Sequence, residues 1–169
     1  LYKNKWVGHD KEVFQPYWLQ PKKLKDFDWT QSKYFVTSIS CPFILIKDFT
    51  IPKYKQFINE AKKYAIVKVA VIGRDRNILK HQQQRVRRGK YTTPTFLKHT
   101  KFIKDPFYLS QELFFLYGTD YLKSVSKQLD FPISTGTYIK NLSKHEANKK
   151  YIKKANRGKF DKYQFKINY

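Results

Sequence analysis

Five of the six arginines in this 169-residue chain fall within one short span: Arg74, Arg76, Arg85, Arg87 and Arg88. A guanidinium offers a planar fork of donors that grips a phosphate through two parallel hydrogen bonds and stacks on a base. Lys80, Lys90, Lys98, Lys101 and Lys104 extend the same stretch, so residues 73–104 carry ten cations and one acid. Each cation that meets a phosphate releases condensed counterions, which gives affinity without reading base sequence. These ten side chains, with Lys150, Lys153, Lys154 and Arg157 near the C-terminus, are candidate RNA-binding residues. Tyr91, Phe96 and Phe102 lie among them. Two readings stand for these rings, stacking on unpaired bases or packing within the stretch itself.

Catalytic chemistry has little to work with. Asp10 with Glu12, and Asp26 with Asp28, have the i, i+2 spacing that holds Mg²⁺ in some nucleases. Among so many lysines, solvated carboxylates or local ion pairs are the simpler account. His9, His81, His99 and His145 are scattered, with neither metal-ligand spacing nor a Cys or Ser partner. The six glycines stand apart, so no phosphate-cradling loop is present. The single cysteine, Cys41, excludes an internal disulfide and a cysteine-rich zinc module, and reads as a half-buried small hydrophobe. The expectation is a non-enzyme with no metal, no cofactor and no small-molecule substrate.

The charge balance points the same way. Thirty-five basic against thirteen acidic side chains give a net charge of +22, with a pI near 10.0. Such a surface fits RNA, DNA or an anionic membrane. The excess is uneven: +3 over residues 1–40, +12 over 41–140 and +7 over 141–169. No apolar run approaches the length of a membrane span. A membrane-surface module would set a wide apolar helix face beside its lysines, but the stripe of the Tyr54–Ala65 helix is needed for the fold's own core. Hydrophobic residues at 41% suffice for one modest domain with extensions.

Residues 1–41 form an aromatic N-terminal extension in which Trp6, Phe14, Tyr17, Trp18, Phe27 and Trp29 alternate with Pro16, Pro21 and charges. Without a helical or strand period, it either lies across another surface or folds back on its own domain. "PFILIKDF" (42–49) reads as a strand, and Thr50 with Pro52 suit a helix start. Tyr54, Phe57, Ile58, Ala61 and Ala65 then make one stripe of an amphipathic helix. "IVKVAVIG" (66–73) is a second β-branched strand. The basic stretch, residues 73–106, lacks a sustained apolar period and reads as a two-armed hairpin or an irregular loop. "FYLSQELFFLYG" (107–118) reads as a third strand, followed by a helix from Thr119 with Leu122, Val125 and Leu129 on one face. "ISTGTYIKNL" (133–142) closes the pattern as the last strand, and a basic extension follows over 143–169. The expected class is α+β. The order β-α-β-β-α-β over residues 42–142 is that of a ferredoxin-like sandwich, an antiparallel sheet with two helices on one face.

At "ILIKDF", "IPKYKQFINEAKKYA", "VKVAVIG", "KHTKFIKDPFYLSQEL" and above all "TDYLKSVSKQLDFPISTGTYIK" (119–140), the sequence resembles the universal small-subunit ribosomal protein S-ten family. The resemblance covers residues 42–142. It departs where the chain is shorter between Glu112 and Thr119, and where "NILKHQQQRVRR" has no counterpart. It implies a structural protein of the small-subunit head whose basic loop meets rRNA beside neighbouring head proteins. The extensions, the start at Leu1 without any Met, and lysine outnumbering arginine 29 to 6 suggest a removed targeting segment and a mitochondrial ribosome on the matrix side. A large-subunit mitochondrial ribosomal protein of the same fold, or a free basic RNA-binding module, are the alternatives.

Overall fold

A computed structural model of the chain describes residues 13–45, 48–87 and 89–132. The expected closing strand (133–142) and the C-terminal extension lie outside these residues. The fold is α+β. Its strands are β1 (Phe43–Leu45), β2 (Asp48–Thr50), β3 (Ala70–Gly73) and β4 (Phe107–Ser110); its α-helices are α1 (Tyr54–Ala61), α2 (Arg76–Val86), α3 (Thr93–Thr100) and α4 (Gln111–Leu129). The chain divides into two compact units, Leu1–Val69 with Thr92–Asp105, and Ala70–Tyr91 with Pro106–Tyr169.

The first unit is built on the α1 stripe. Tyr54, Phe57, Ile58 and Ala61 are buried as the 3.6-residue period requires. The helix itself stops at Ala61, and Ala65 follows through a turn whose amide donates to the Ala61 carbonyl (3.0 Å). The aromatic N-terminal segment folds back onto this stripe. Pro16 and Pro21 each open a 3₁₀ turn, Gln15–Trp18 and Pro21–Asp26, where a fixed φ and a missing N–H cost nothing. Those turns bury Phe14, Trp18, Leu24 and Phe27 with Cys41 against α1. Trp18 stacks on Phe57 with ring centroids 3.8 Å apart, its indole N–H donates to the Thr37 hydroxyl (3.1 Å), and its carbonyl accepts the Lys53 amide (2.9 Å). Trp29 donates to the Leu24 carbonyl (3.1 Å) and stacks on Tyr64. Cys41 is therefore a core residue rather than the half-buried one expected.

"PFILIKDF" is two short strands rather than one. Phe43 pairs with Thr50 and Leu45 with Asp48 in an antiparallel ladder. An apolar run alone does not say whether a strand continues or doubles back; doubling back lets this segment satisfy its own backbone donors and acceptors.

In the second unit β3 and β4 run parallel, with Ala70 opposite Phe107 and Gly73 opposite Ser110. The expected strand 66–73 is regular only in its second half. The expected strand 107–118 ends at Ser110, because the Ser110 hydroxyl caps α4 by accepting the Leu113 amide (3.1 Å). The Ser110 amide in turn donates to the Tyr121 hydroxyl (2.7 Å). The helix expected from Thr119 is thus the distal half of α4, bent at Gly118, whose φ of 50° and ψ of −118° suit only glycine. At its far end Asp130 turns left-handed, and the Ser126 carbonyl accepts the amides of both Asp130 and Phe131, which ends the helix in the αL manner just before Pro132.

The basic stretch is neither hairpin nor irregular loop: two helices, α2 and α3, occupy most of residues 73–106. A hairpin would also have set its flanking strands antiparallel, whereas β3 and β4 are parallel. Among the described residues the strands form two separate two-stranded sheets.

Candidate nucleic-acid interface

Local chemistry accounts for both helices. At the start of α2 the Asp75 carboxylate accepts the Asn77 and Ile78 amides (2.9 and 3.0 Å), and the Asp75 amide donates to Glu112 Oε1 (2.8 Å). Lys80, Gln82, Gln83, Gln84 and Arg85 are straight-chain residues that lose little rotamer freedom in a helix. Gly89, at φ 82°, provides the left-handed residue that ends it, and its amide donates to the Gln84 carbonyl (2.6 Å). For α3, Thr92 is the buried residue before the first turn and Pro94 sits within it.

On α2, at about 100° per residue, Arg76 and Lys80 fall roughly 40° apart, one turn from each other, and Arg87 follows the last residue of the helix. Arg76 and Lys80 are exposed and Arg87 is half-buried. Arg85, also exposed, lies on the opposite side with His81. Arg74 precedes the helix, half-buried, and its guanidinium donates to the Gln82 side-chain oxygen, so part of its fork is already used within the protein. Lys90 is exposed beyond the helix end.

Lys98, Lys101 and Lys104 belong to the first unit. All three are exposed, and Lys98 and Lys101 stand at the C-terminal turn of α3, where cations complement the orphan carbonyls. The expected set is therefore split between the units: Arg74, Arg76, Lys80, Arg85, Arg87 and Lys90 in one, and Lys98, Lys101 and Lys104 in the other. Arg88, Lys150, Lys153, Lys154 and Arg157 lie outside the described residues. The rings divide as well. Phe96 and Phe102 pack with Ile103 against the first unit's core, and Tyr91 is half-buried.

Among the described residues Arg76, Lys80, Lys98, Lys101 and Lys104 make no ion pair. Lys63 pairs with Glu60 (2.7 Å) and Lys123 with Asp120 (3.3 Å), both one turn apart on a helix or just beyond its end. The hydrogen bond from Lys63 to Glu60 holds the ammonium above its usual range. Lys22, Lys23 and Lys25 add exposed cations to the first unit on the turn Pro21–Asp26; the charge run "PKKLKD" was their signal, masked by the aromatic character of its surroundings.

The acid pair Asp26 and Asp28 has a local explanation. Asp28 caps the 3₁₀ turn Trp29–Gln31, accepting the Thr30 hydroxyl (2.6 Å) and the Thr30 amide (2.9 Å). The hydroxyl contact above all, then the amide, holds its carboxyl below the usual range. Among the described residues no three His, Cys, Asp or Glu side chains gather as metal ligands, and no helix is long and apolar enough to cross a membrane. Asp10, Glu12, His9 and His145 lie outside the described residues. No protein family, curated protein or solved structure matches this chain.

Proposed function

We propose that this chain is a non-enzymatic structural component of the ribosome, seated in the small-subunit head of a mitochondrial ribosome on the matrix side. There it binds rRNA through the cations of α2 and α3 and of the basic C-terminal extension, and it packs beside other head proteins. One observation carries the reading: residues 73–104 set ten cations against one acid, and Arg76, Lys80, Arg85, Lys98 and Lys101 stand exposed on or at the end of two short helices. A surface of that kind repels itself until a polyanion neutralises it. Phosphate contacts of this sort position a protein on RNA without selecting bases, which suits a component held in one place by its neighbours. The resemblance to the S-ten family supplies the ribosome, the head and the ferredoxin-like arrangement of residues 42–142. Binding rests on the charges and not on that topology, in which the second and third strands would be antiparallel, unlike β3 and β4.

The test is sedimentation of a native mitochondrial lysate on sucrose gradients at low and raised magnesium, with the protein followed by mass spectrometry. Migration with the small subunit after the particles separate is the expected result. Migration with the large subunit transfers the protein to the alternative of the same fold, and recovery only at the top of the gradient overturns the ribosomal assignment.

A further inference from the structure

The parallel ladder of the second unit ends with Gly73 opposite Ser110, and each strand hands over to a helix almost at once. α2 begins at Arg76 behind its N-cap Asp75, and α4 begins at Gln111 behind its N-cap Ser110. Asp75 and Glu112 each lie two residues past that last pair, so the register brings both to one end of the sheet. There the Asp75 amide donates to Glu112 Oε1 (2.8 Å), a bond that spans 37 residues of sequence. The other carboxylate oxygen accepts the Ser110 hydroxyl (3.3 Å), which in turn accepts the Leu113 amide (3.1 Å). One half-buried carboxylate thus ties the start of α2 to the start of α4. In a capping box the N-cap side chain accepts from the first turn, and a Glu or Gln at the third helical position returns a bond to the N-cap amide. α2 has the first half of that device, since the Asp75 carboxylate accepts the Asn77 and Ile78 amides (2.9 and 3.0 Å). Its third helical residue is Ile78, which has no acceptor to return. Glu112 completes the box from another helix.

We infer that Glu112 is a positioning residue for the RNA-binding face of α2, acting not on phosphate but by holding Arg76 and Lys80 in one orientation. The inference rests on the reading of α2 as an RNA surface. Arg76 follows Asp75 directly, and Lys80 stands one turn further on. Packing does little to fix them, because none of the described side chains of α2 is buried, and Ile78 and Leu79 are only half-buried. A bond to the first turn therefore carries a larger share of what orients this helix than it would on a helix with a buried face. The acid also stands where charge alone disfavours it. Asp75 is the one acid among residues 73–104, and a second carboxylate beside it lowers the attraction of the α2 cations for a polyanion. Glu112 thus has two effects of opposite sign on RNA binding. Its charge weakens attraction, and its bonds pre-order the cations so that RNA does not have to order them. Two neutral replacements separate these effects: glutamine keeps an oxygen for the Asp75 amide, and alanine keeps nothing.

The test uses the full chain and a labelled uridine oligomer, with affinity read by fluorescence anisotropy and hydrogen exchange followed on the RNA-free protein. Glu112→Gln is expected to bind the RNA at least as tightly as wild type, because a negative charge is gone and the bond to α2 persists. Glu112→Ala is expected to bind about three- to tenfold more weakly than Glu112→Gln at the same net charge. It should also exchange faster over residues 75–80 while α1 exchanges as in wild type. Glu112→Asp, which keeps the charge and shortens the reach, repeats the comparison at wild-type charge and should bind about threefold more weakly than wild type; it decides the matter if the alanine variant does not fold. With Arg76→Ala and Lys80→Ala already in place, the difference between alanine and glutamine at position 112 should vanish, which a general loss of stability would not produce. The inference is overturned if the alanine and glutamine variants bind alike, if Glu112→Asp binds as tightly as wild type, if exchange over residues 75–80 is unmoved by Glu112→Ala, or if the difference persists without the two cations. If Arg76→Ala with Lys80→Ala leaves RNA affinity at the wild-type value, the reading of α2 as an RNA surface fails and takes this inference with it.

Discussion

Replacing Trp18 with alanine tests whether the aromatic N-terminal segment belongs to the core. The side chain is 7% exposed, stacks on Phe57 at an interplanar angle of 17° and donates to the Thr37 hydroxyl. Truncating a buried Trp costs roughly 3–5 kcal/mol, which already includes the transfer and cavity contributions. The stack and the lost hydrogen bond, worth about 1 kcal/mol each in general, place this site toward the upper half of that range. A loss of about 4 kcal/mol is a large share of the roughly 5–15 kcal/mol that holds a domain folded. In urea, with a slope of about 2 kcal/mol per molar, the midpoint falls by about 2 M. The assay is urea unfolding of the RNA-free chain followed by far-ultraviolet circular dichroism, with Trp18→Phe as the control that keeps the stack and recovers more than half of the loss. A midpoint for Trp18→Ala within about 0.3 M of wild type refutes the account, because it leaves α1 stable without the rings packed on it.

Charge reversal at Arg76 and Lys80 together should weaken RNA binding and lower the salt slope of log affinity by about 1.4, at about 0.7 per lost phosphate contact on a single strand. An unchanged slope, measured by anisotropy over a salt series, would remove the α2 stripe from the interface. Gly118→Ala should destabilise the chain by about 1–3 kcal/mol, because alanine cannot adopt the backbone of the bend without strain; a thermal melt showing a gain of about 1 kcal/mol instead would mean that α4 straightens freely. Asp28 has a lowered carboxyl pKa in the fold, so its contribution to stability is present above the ordinary carboxylate value and is lost as pH falls through the lowered one. Carbon-detected NMR titration should find its carboxyl below the ordinary range in wild type and raised toward that range in Thr30→Ala, where the amide of residue 30 still donates.

The sequence made α1 legible because Tyr54, Phe57, Ile58 and Ala61 repeat at the helical period and packing against them gave that period a purpose. The helix α2 was obscured by its composition. Its apolar residues Ile78, Leu79 and Val86 are too few to mark a face among lysines, arginines and glutamines, and the stronger signals were local: Asp75 as cap, Gly89 as stop, and Thr92 with Pro94 opening α3. The run 107–118 was long enough for either a strand or a helix, and Ser110 decides between them by capping. In the N-terminal segment no period exists to be read, because prolines and 3₁₀ turns, rather than a regular face, bring Phe14, Trp18, Leu24 and Phe27 together. The cationic character of residues 73–104 was plain from composition. Its division between two units was not, since that depends on which core receives Phe96 and Phe102.

The two units are interlaced along the chain, and this orders how the protein can be made and taken apart. The core around α1 is closed by Phe96, Phe102 and Ile103, which leave the synthetic machinery only after β3 and α2 have been made. β3 in turn waits for Phe107–Ser110 before it has its partner strand. The first unit therefore has to wait for the insertion of 22 residues of the second, and the second is completed only after it. A protease that cuts within α2 releases two fragments, each holding pieces of both units and a whole version of neither. Such fragments are expected to be poorly folded apart and to regain structure only when mixed, so any tolerance of nicking would rest on complementation rather than on the independence of the parts.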